Sequence, residues 1–520
     1  MDFAAIVAFT IVLYVRPQEI FGALAAARPA FVVLAWAGAA LFMREGGVRW
    51  RDVIRTPHDW VMAIYFTYIL WSSGSAWATW KLIYPFVGFY FITVMALNTM
   101  RRVYVFLYWW LGCIMFIGIM ALLSLIGIDP AGSAEITEAS RGRLVFGTSL
   151  FNNANALGHS VIVAVPMIYF LLFWRRPVFV KEVGLALLPI PLYCTYRTES
   201  KGSFASGFIA ILATLTFGRP KFVQVIILAG GLFGGVSAAQ FLPRWGELQT
   251  ASKDEAIQGR VEAFKFGRWA TENFKYGVGY KNFVTEFQRK EGEEKARASH
   301  SSYNQISAEF GWIGLLLFVG SIYCAARTLV QSRTANEMEE RVRRTMFCLV
   351  ATYSVSSWMI DFGFRAAFFV MIAMVSAFHR LLQDRAPIEN VDEWLESEQE
   401  NEANPVGTAA GPIAANGAGA AASSHVYLAH LKQVRGAGRA HAQTAASGVA
   451  PVAPLAGSST TQKSNAYAPA VADTNEERIS GSPFMPWTRL TWVDAIVMYY
   501  LMELTLYIRT YAIEDLFAAA

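Results

Sequence analysis

The sequence predicts an all-α protein threaded repeatedly through a lipid bilayer. Three observations carry that prediction. Of 520 residues, 55% are hydrophobic and only 16% charged, against about a quarter in an ordinary soluble domain. Mean hydropathy is +0.35. The apolar residues are gathered into runs, many close to the ~20 residues that a helix needs to cross the hydrocarbon layer. No water reaches a backbone buried in hydrocarbon, so such runs satisfy their own N–H and C=O groups as helices.

In chain order the runs lie near 3–15, 22–43, 60–78, 82–98, 103–127, 156–174, 183–196, 203–217, 222–242, 310–330, 345–360 and 363–381, which makes about 12 spans of the length a bilayer asks for. The first looks like a secretory leader, with ALAAARP near residue 23 in the cleavage position. Its leading residues are MDF, acidic rather than basic, so an uncleaved helix is expected. The first and seventh runs are short, as tilted or sheltered helices would be. Cys113, Cys194, Cys324 and Cys348 all fall inside apolar runs far apart in sequence, and are expected to be buried small hydrophobes.

Orientation follows from the basic residues of the short connections. One set holds Arg44, Arg49, Arg51, Arg55, Arg101, Arg102, Arg175, Arg176, Lys181, Arg219, Lys221, Arg327, Arg333, Arg341, Arg343 and Arg344. The alternate set is much poorer. The rich set, with both termini, belongs in the cytoplasm, which puts the long segment 243–304 on the outer face. The net charge of +5 sits mostly in these short loops, so it reports topology and not a nucleic-acid surface.

Cations on the outer face run against this bias: Arg141 and Arg143 in ASRGRLVFG, Arg197 and Lys201 in YRTESKGS, Arg260 and Arg268 in the long loop, and Arg365. One such residue at a span mouth is most simply a snorkelling side chain. As a group they suggest a site that binds an anion. Within the loop, DEAIQGRVEAFKFGRWATENF has helical periodicity, with Arg260, Phe264 and Arg268 on one face. A Gly-rich turn, KYGVGYKNF, and the charged stretch QRKEGEEKARAS follow, and the loop ends at HSSYNQISAEFGWIG, residues 300–314.

Beyond residue 385 the composition changes. Residues 386–484 begin acidic and continue rich in Ala, Gly, Ser, Thr and Pro, as a disordered linker would. Residues 485–520 turn apolar again but contain Asp494, Glu503 and Arg509. An amphipathic helix in the cytoplasmic interface is expected there, because a span would submerge two acids. The domain reading is therefore a membrane domain over 1–385, a linker, and an interfacial helix with a cytoplasmic C-terminus. Neither of the last two is expected to carry chemistry.

His300, Ser301, nine residues, Gly311, two residues and Gly314 form a pattern that resembles the signature of the O-antigen ligase and O-antigen polymerase superfamily, at the end of that family's large periplasmic loop. Three further landmarks agree in order: FNNANALG at 151–158, SKGS at 200–203, and GRVEAFKFGRW at 259–269. The likeness covers roughly residues 60–380. The N-terminal helices also resemble the exosortase-associated O-glycosylation ligases. Lys201 departs from the family's usual Arg, which exchanges a bidentate fork for a point charge.

The resemblance implies a GT-C-type glycosyltransferase of the bacterial inner membrane, with its active site facing the periplasm. It would take a glycan from a polyprenyl-diphosphate lipid and hand it to a hydroxyl on a glycolipid, a protein or a polysaccharide. A departing diphosphate gains negative charge, and fixed cations stabilise it; Arg260, Lys201, Arg141, Arg143 and Arg197 are the candidates. His300 titrates in the range of a general base. Glu309 is a candidate to orient it, Ser301 reads as a helix cap, and Asn155 and Arg268 could support sugar or phosphate. His58 and His159 look incidental. No His pair or carboxylate cluster stands at ligand spacing, so transfer without metal or cofactor is expected, inverting the anomeric centre in one step. Ligase is preferred over polymerase, although the two share this motif. A transporter or flippase for lipid-linked glycans is the alternative of another class; it asks for cations deep in the spans and internal two-fold symmetry, neither of which the sequence displays.

Overall fold

A computed structural model describes residues 1–44, 47–48, 50–239, 255–384 and 488–513. The described residues are helical with no β-strand. The described residues all belong to one compact unit. The linker expected at 386–484 and the first part of the long loop, 243–254, lie outside the described residues.

Among the described residues, six helices are long and apolar enough to cross a membrane: Ala76–Ala96, Met100–Ile126, Ala154–Phe173, Val178–Arg197, Ser302–Gln331 and Ala366–Gln383. The other six spans expected from the sequence also fall on helices. Four of these are apolar but shorter: Asp2–Tyr14, Pro29–Phe42, Lys201–Thr216 and Lys221–Gly235. Pro57–Ser72 and Glu337–Ser356 carry charged residues in their first turns. All four cysteines are buried and free.

Local chemistry sets the helix starts. Thr56 and Asp59 form a reciprocal capping box, and Ser75, Thr99, Asn153, Ser200, Ser301 and Asn336 each accept a backbone N–H of their own first turn. Packing then joins remote segments. Where three helices meet, the fully buried Asp59 accepts from Arg380 (2.8 Å), Ser376 (2.7 Å) and Tyr90 (3.0 Å).

The loop helix, Glu255–Asn273, packs against the motif helix, Ser302–Gln331. Ala263, Phe266 and Ala270 of the loop helix share a small core with Phe283, Phe287 and Ala308, and the rings of Phe266 and Phe287 stack at 4.7 Å. This core is separate from the main one, so the outer loop is a folded cap with apolar content of its own.

The motif helix is broken at Gly311, whose φ of 64° and ψ of −166° suit glycine alone. The break admits the Gly-rich turn: a Cβ on Gly311 would lie 2.5 Å from the Lys275 carbonyl oxygen. Val278 and Gly279 donate their backbone N–H groups to the carbonyls of Ala308 and Glu309, each at 2.9 Å. Tyr68 closes the other side by donating to the Phe310 carbonyl at 2.9 Å. The final described helix, the tail helix Trp492–Tyr507, also packs on the motif helix.

Candidate functional site

The segment before the motif helix is held by a dense set of hydrogen bonds to the turn at 357–362. Ser302 N–H reaches the carbonyls of Ser357 (2.7 Å) and Ile360 (3.0 Å). Its hydroxyl donates to Ile360 O at 2.7 Å and accepts from Phe362 N–H at 2.8 Å. The Ser301 hydroxyl donates to Ser357 O at 3.3 Å and caps Asn304 N–H at 3.4 Å, the cap that its position suggested. His300, one residue earlier, has a left-handed backbone (φ 49°) and is half-buried. Histidine adopts that conformation more readily than most residues, yet it still costs on the order of 1 kcal/mol, so the surrounding bonds hold it there.

Two charges act on the His300 ring. Burial holds its pKa below the usual value, and the guanidinium of Arg260 pushes the same way, while the carboxylate of Asp361 opposes them. Arg260 projects from the exposed side of the loop helix. Its charge also reaches His159, which is fully enclosed. The Nδ1 atom of His159 is 3.0 Å from the hydroxyls of both Ser206 and Ser356, and a Cβ on Gly202 would meet its Nε2 at 2.9 Å. Lys201, the first residue of its helix, is therefore the chain neighbour of a residue in contact with His159.

A second cluster gathers three landmarks. Arg143 donates through Nε to the Thr198 carbonyl (3.0 Å) and through a terminal nitrogen to Asn155 Oδ1 (2.8 Å), while Leu144 N–H donates to Arg197 O (3.0 Å). The ASRGRLVFG segment, the Asn-rich helix start and the turn before SKGS thus meet at one place. Gly158 sits at the crossing, where a Cβ would lie 2.4 Å from the Ser203 hydroxyl.

Other predicted residues stand differently. Arg268 pairs with Glu272 one turn along its own helix, at 2.9 Å. Arg141 is exposed, with φ of 60°. Glu309 is fully buried and accepts from Gln305 Nε2 at 3.1 Å, and no hydrogen bond joins it to His300 among the described residues. Glu309 acts on Tyr280, whose hydroxyl is raised above its usual pKa by burial first and that carboxylate second, with Arg365 opposing. The carboxylate whose charge reaches His300 is that of Asp361, which is not among the residues the sequence singles out. The signal for it is an acid in the short turn DFGFR, four residues before Arg365. His159, read as incidental, lies within contact of the same region.

Among the described residues no group of three or more His, Cys, Asp or Glu side chains is placed to hold a metal ion. The arrangement offers a half-buried imidazole under the influence of one cation and one carboxylate, and a separate cluster built on Arg143. The O-antigen ligase family model matches residues 184–319, a span that holds Arg197, Lys201, Arg260, Arg268, His300, Ser301, Glu309, Gly311 and Gly314, and leaves Arg141, Arg143 and Asn155 before it. No curated protein matches the chain. Over residues 184–319 this helical chain is therefore similar to the O-antigen ligase family.

Proposed function

We propose that the protein is an inner-membrane glycosyltransferase that moves a glycan from a polyprenyl-diphosphate lipid to an acceptor hydroxyl on the periplasmic face. The observation that carries this reading is the His300 site: an imidazole at the mouth of the motif helix whose pKa is held below its usual value by burial and by the Arg260 guanidinium. A neutral imidazole is what a general base must be before it acts.

In the proposed step the acceptor oxygen attacks the anomeric carbon, and the bond from that carbon to the diphosphate oxygen breaks. The acceptor proton passes to the free ring nitrogen of His300. The leaving diphosphate collects negative charge, which Arg260 and Lys201 offset, with Arg143 and Arg197 shaping the neighbouring wall. Asp361 steadies the imidazolium that forms. Asn155, already an acceptor for Arg143, fixes that guanidinium, and Arg268 and Glu309 support the cap. One displacement inverts the sugar. A polymerase would use the same atoms with a growing polysaccharide as acceptor, so the ligase assignment concerns the acceptor alone. No cofactor enters this scheme.

The test is transfer from a purified lipid-diphosphate donor by inserted, folded protein. His300→Ala is expected to abolish it, whereas Ser301→Ala, which removes a cap worth about 1 kcal/mol, should reduce it far less. Near-normal transfer by His300→Ala would end the general-base reading.

A further inference from the structure

The tail helix does not touch the motif helix at one level only. Asp494 pairs with the buried Arg327 and accepts from Tyr323 at 2.8 Å. Four residues on, Met498 fills the surface left by Gly320, where a Cβ would lie 2.4 Å from its Cε. At the far end, Arg509 donates to Ser307 (2.8 Å) and to Thr271 (3.0 Å). As the tail advances from 494 to 509, its partners retreat from 327 to 307. The two helices are antiparallel along most of their length. Residues 492–513 are helical throughout, and at 1.5 Å per residue they extend about 30 Å, the thickness of the hydrocarbon layer.

A helix lying in the interface would cross the motif helix at a single depth, and this one follows it from end to end. We propose that the tail helix is a further membrane span, and that Arg509 at its outer end clamps the loop helix to the motif helix beside His300. Its chemistry fits. Asp494, Met498 and Met502 form the buried face, while Trp492, Ile496, Tyr500, Leu504, Tyr507 and Tyr511 face outward, exposed and apolar or aromatic as lipid contact requires. The acid that argued against a span in the sequence, Asp494, is neutralised by Arg327 and sits in a capping box with Thr491. Glu503, on the outward face, accepts a hydrogen bond from the Tyr499 hydroxyl.

The clamp matters for position. Arg509 is buried, and its two hydroxyl acceptors lie on different elements: Thr271 on the helix that carries Arg260, and Ser307 two turns into the helix that His300 precedes. One guanidinium therefore fixes the distance between the proposed cation and the proposed base. Arg509 is a positioning residue contributed from beyond the linker, and it acts on this geometry whether or not the site transfers glycans.

The experiment uses the full chain with Ala at the four native cysteines and a membrane-impermeant maleimide as probe. Single cysteines at Thr488 and Tyr511 are expected to label from opposite sides of the membrane, with Tyr511→Cys matching a Lys290→Cys control in the outer loop. Labelling of both from one side would overturn the span. For the clamp, Ala270→Cys on the buried face of the loop helix reports opening. Adding Arg509→Ala should speed its labelling about tenfold, the scale of one lost charge-assisted hydrogen bond, and Arg509→Lys should restore protection. Equal protection in Arg509→Ala and in its parent would overturn the clamp while leaving the transfer reading intact.

Discussion

Asn304 occupies the space that a side chain on Gly267 would need: a Cβ there would lie 2.0 Å from its Oδ1. The Asn304 amide donates to Ala263 O at 3.0 Å and to the Ser299 hydroxyl at 3.1 Å, so it cannot swing aside without giving up buried bonds. Gly267→Ala should therefore pry the loop helix from the motif helix at its tightest point. Overpacking of this kind costs about 1–3 kcal/mol. Thermal unfolding of the purified protein should register that loss, and transfer should fall with it; an unchanged midpoint would mean the contact relaxes freely.

The pH dependence of transfer follows from the downward shift at His300. A base whose pKa is lowered stays deprotonated into more acidic solution, so activity should persist below pH 6.5 before its acid limb falls. Asp361 opposes that shift, and Asp361→Asn removes the opposition. The acid limb of Asp361→Asn should move to still lower pH, with turnover reduced as the imidazolium loses its counter-charge. A limb displaced to higher pH would contradict the electrostatic role given to Asp361.

Lys201 is where this chain departs from the family pattern it resembles, and the substitution series there separates charge from geometry. If the position meets the donor diphosphate, Lys201→Arg keeps the charge and should retain activity. Lys201→Ala and Lys201→Gln should each lose roughly a hundredfold in rate, the effect of removing about 3 kcal/mol of stabilisation from a developing anion. Comparable rates for all three, at matched expression, would show that the lysine only snorkels.

Away from the candidate site, stability rests on a buried pair. Asp59 has no exposed side-chain surface and takes its salt bridge from Arg380 at 2.8 Å. Removing one partner leaves the other buried and uncompensated, which typically costs about 3–5 kcal/mol. Arg380→Ala should lower the unfolding midpoint sharply, and Arg380→Ala with Asp59→Asn should recover part of the loss. Full additivity of the two changes would show that the pair does not interact.

What the sequence determined by itself is local. Run length and apolarity located the helices, because a backbone in hydrocarbon has no other way to satisfy its hydrogen bonds. Ser301 was legible as a cap, and the spacing from His300 to Gly314 as a motif, since both are written within one or two turns of chain. Gly311 was visible as special but not for its true reason, a positive φ that lets the Lys275 carbonyl approach. The tertiary structure alone decided which charges meet. Asp361 reaches His300 from 61 positions away, His159 finds Ser206 and Ser356, Arg143 finds Asn155 and Thr198, and Arg509 finds Thr271 and Ser307. None of these pairs has a sequence period, because each depends on which helix packs beside which and in what register. An acid such as Asp494 looks forbidden in a span when read alone, and becomes stable there only once the fold places Arg327 against it.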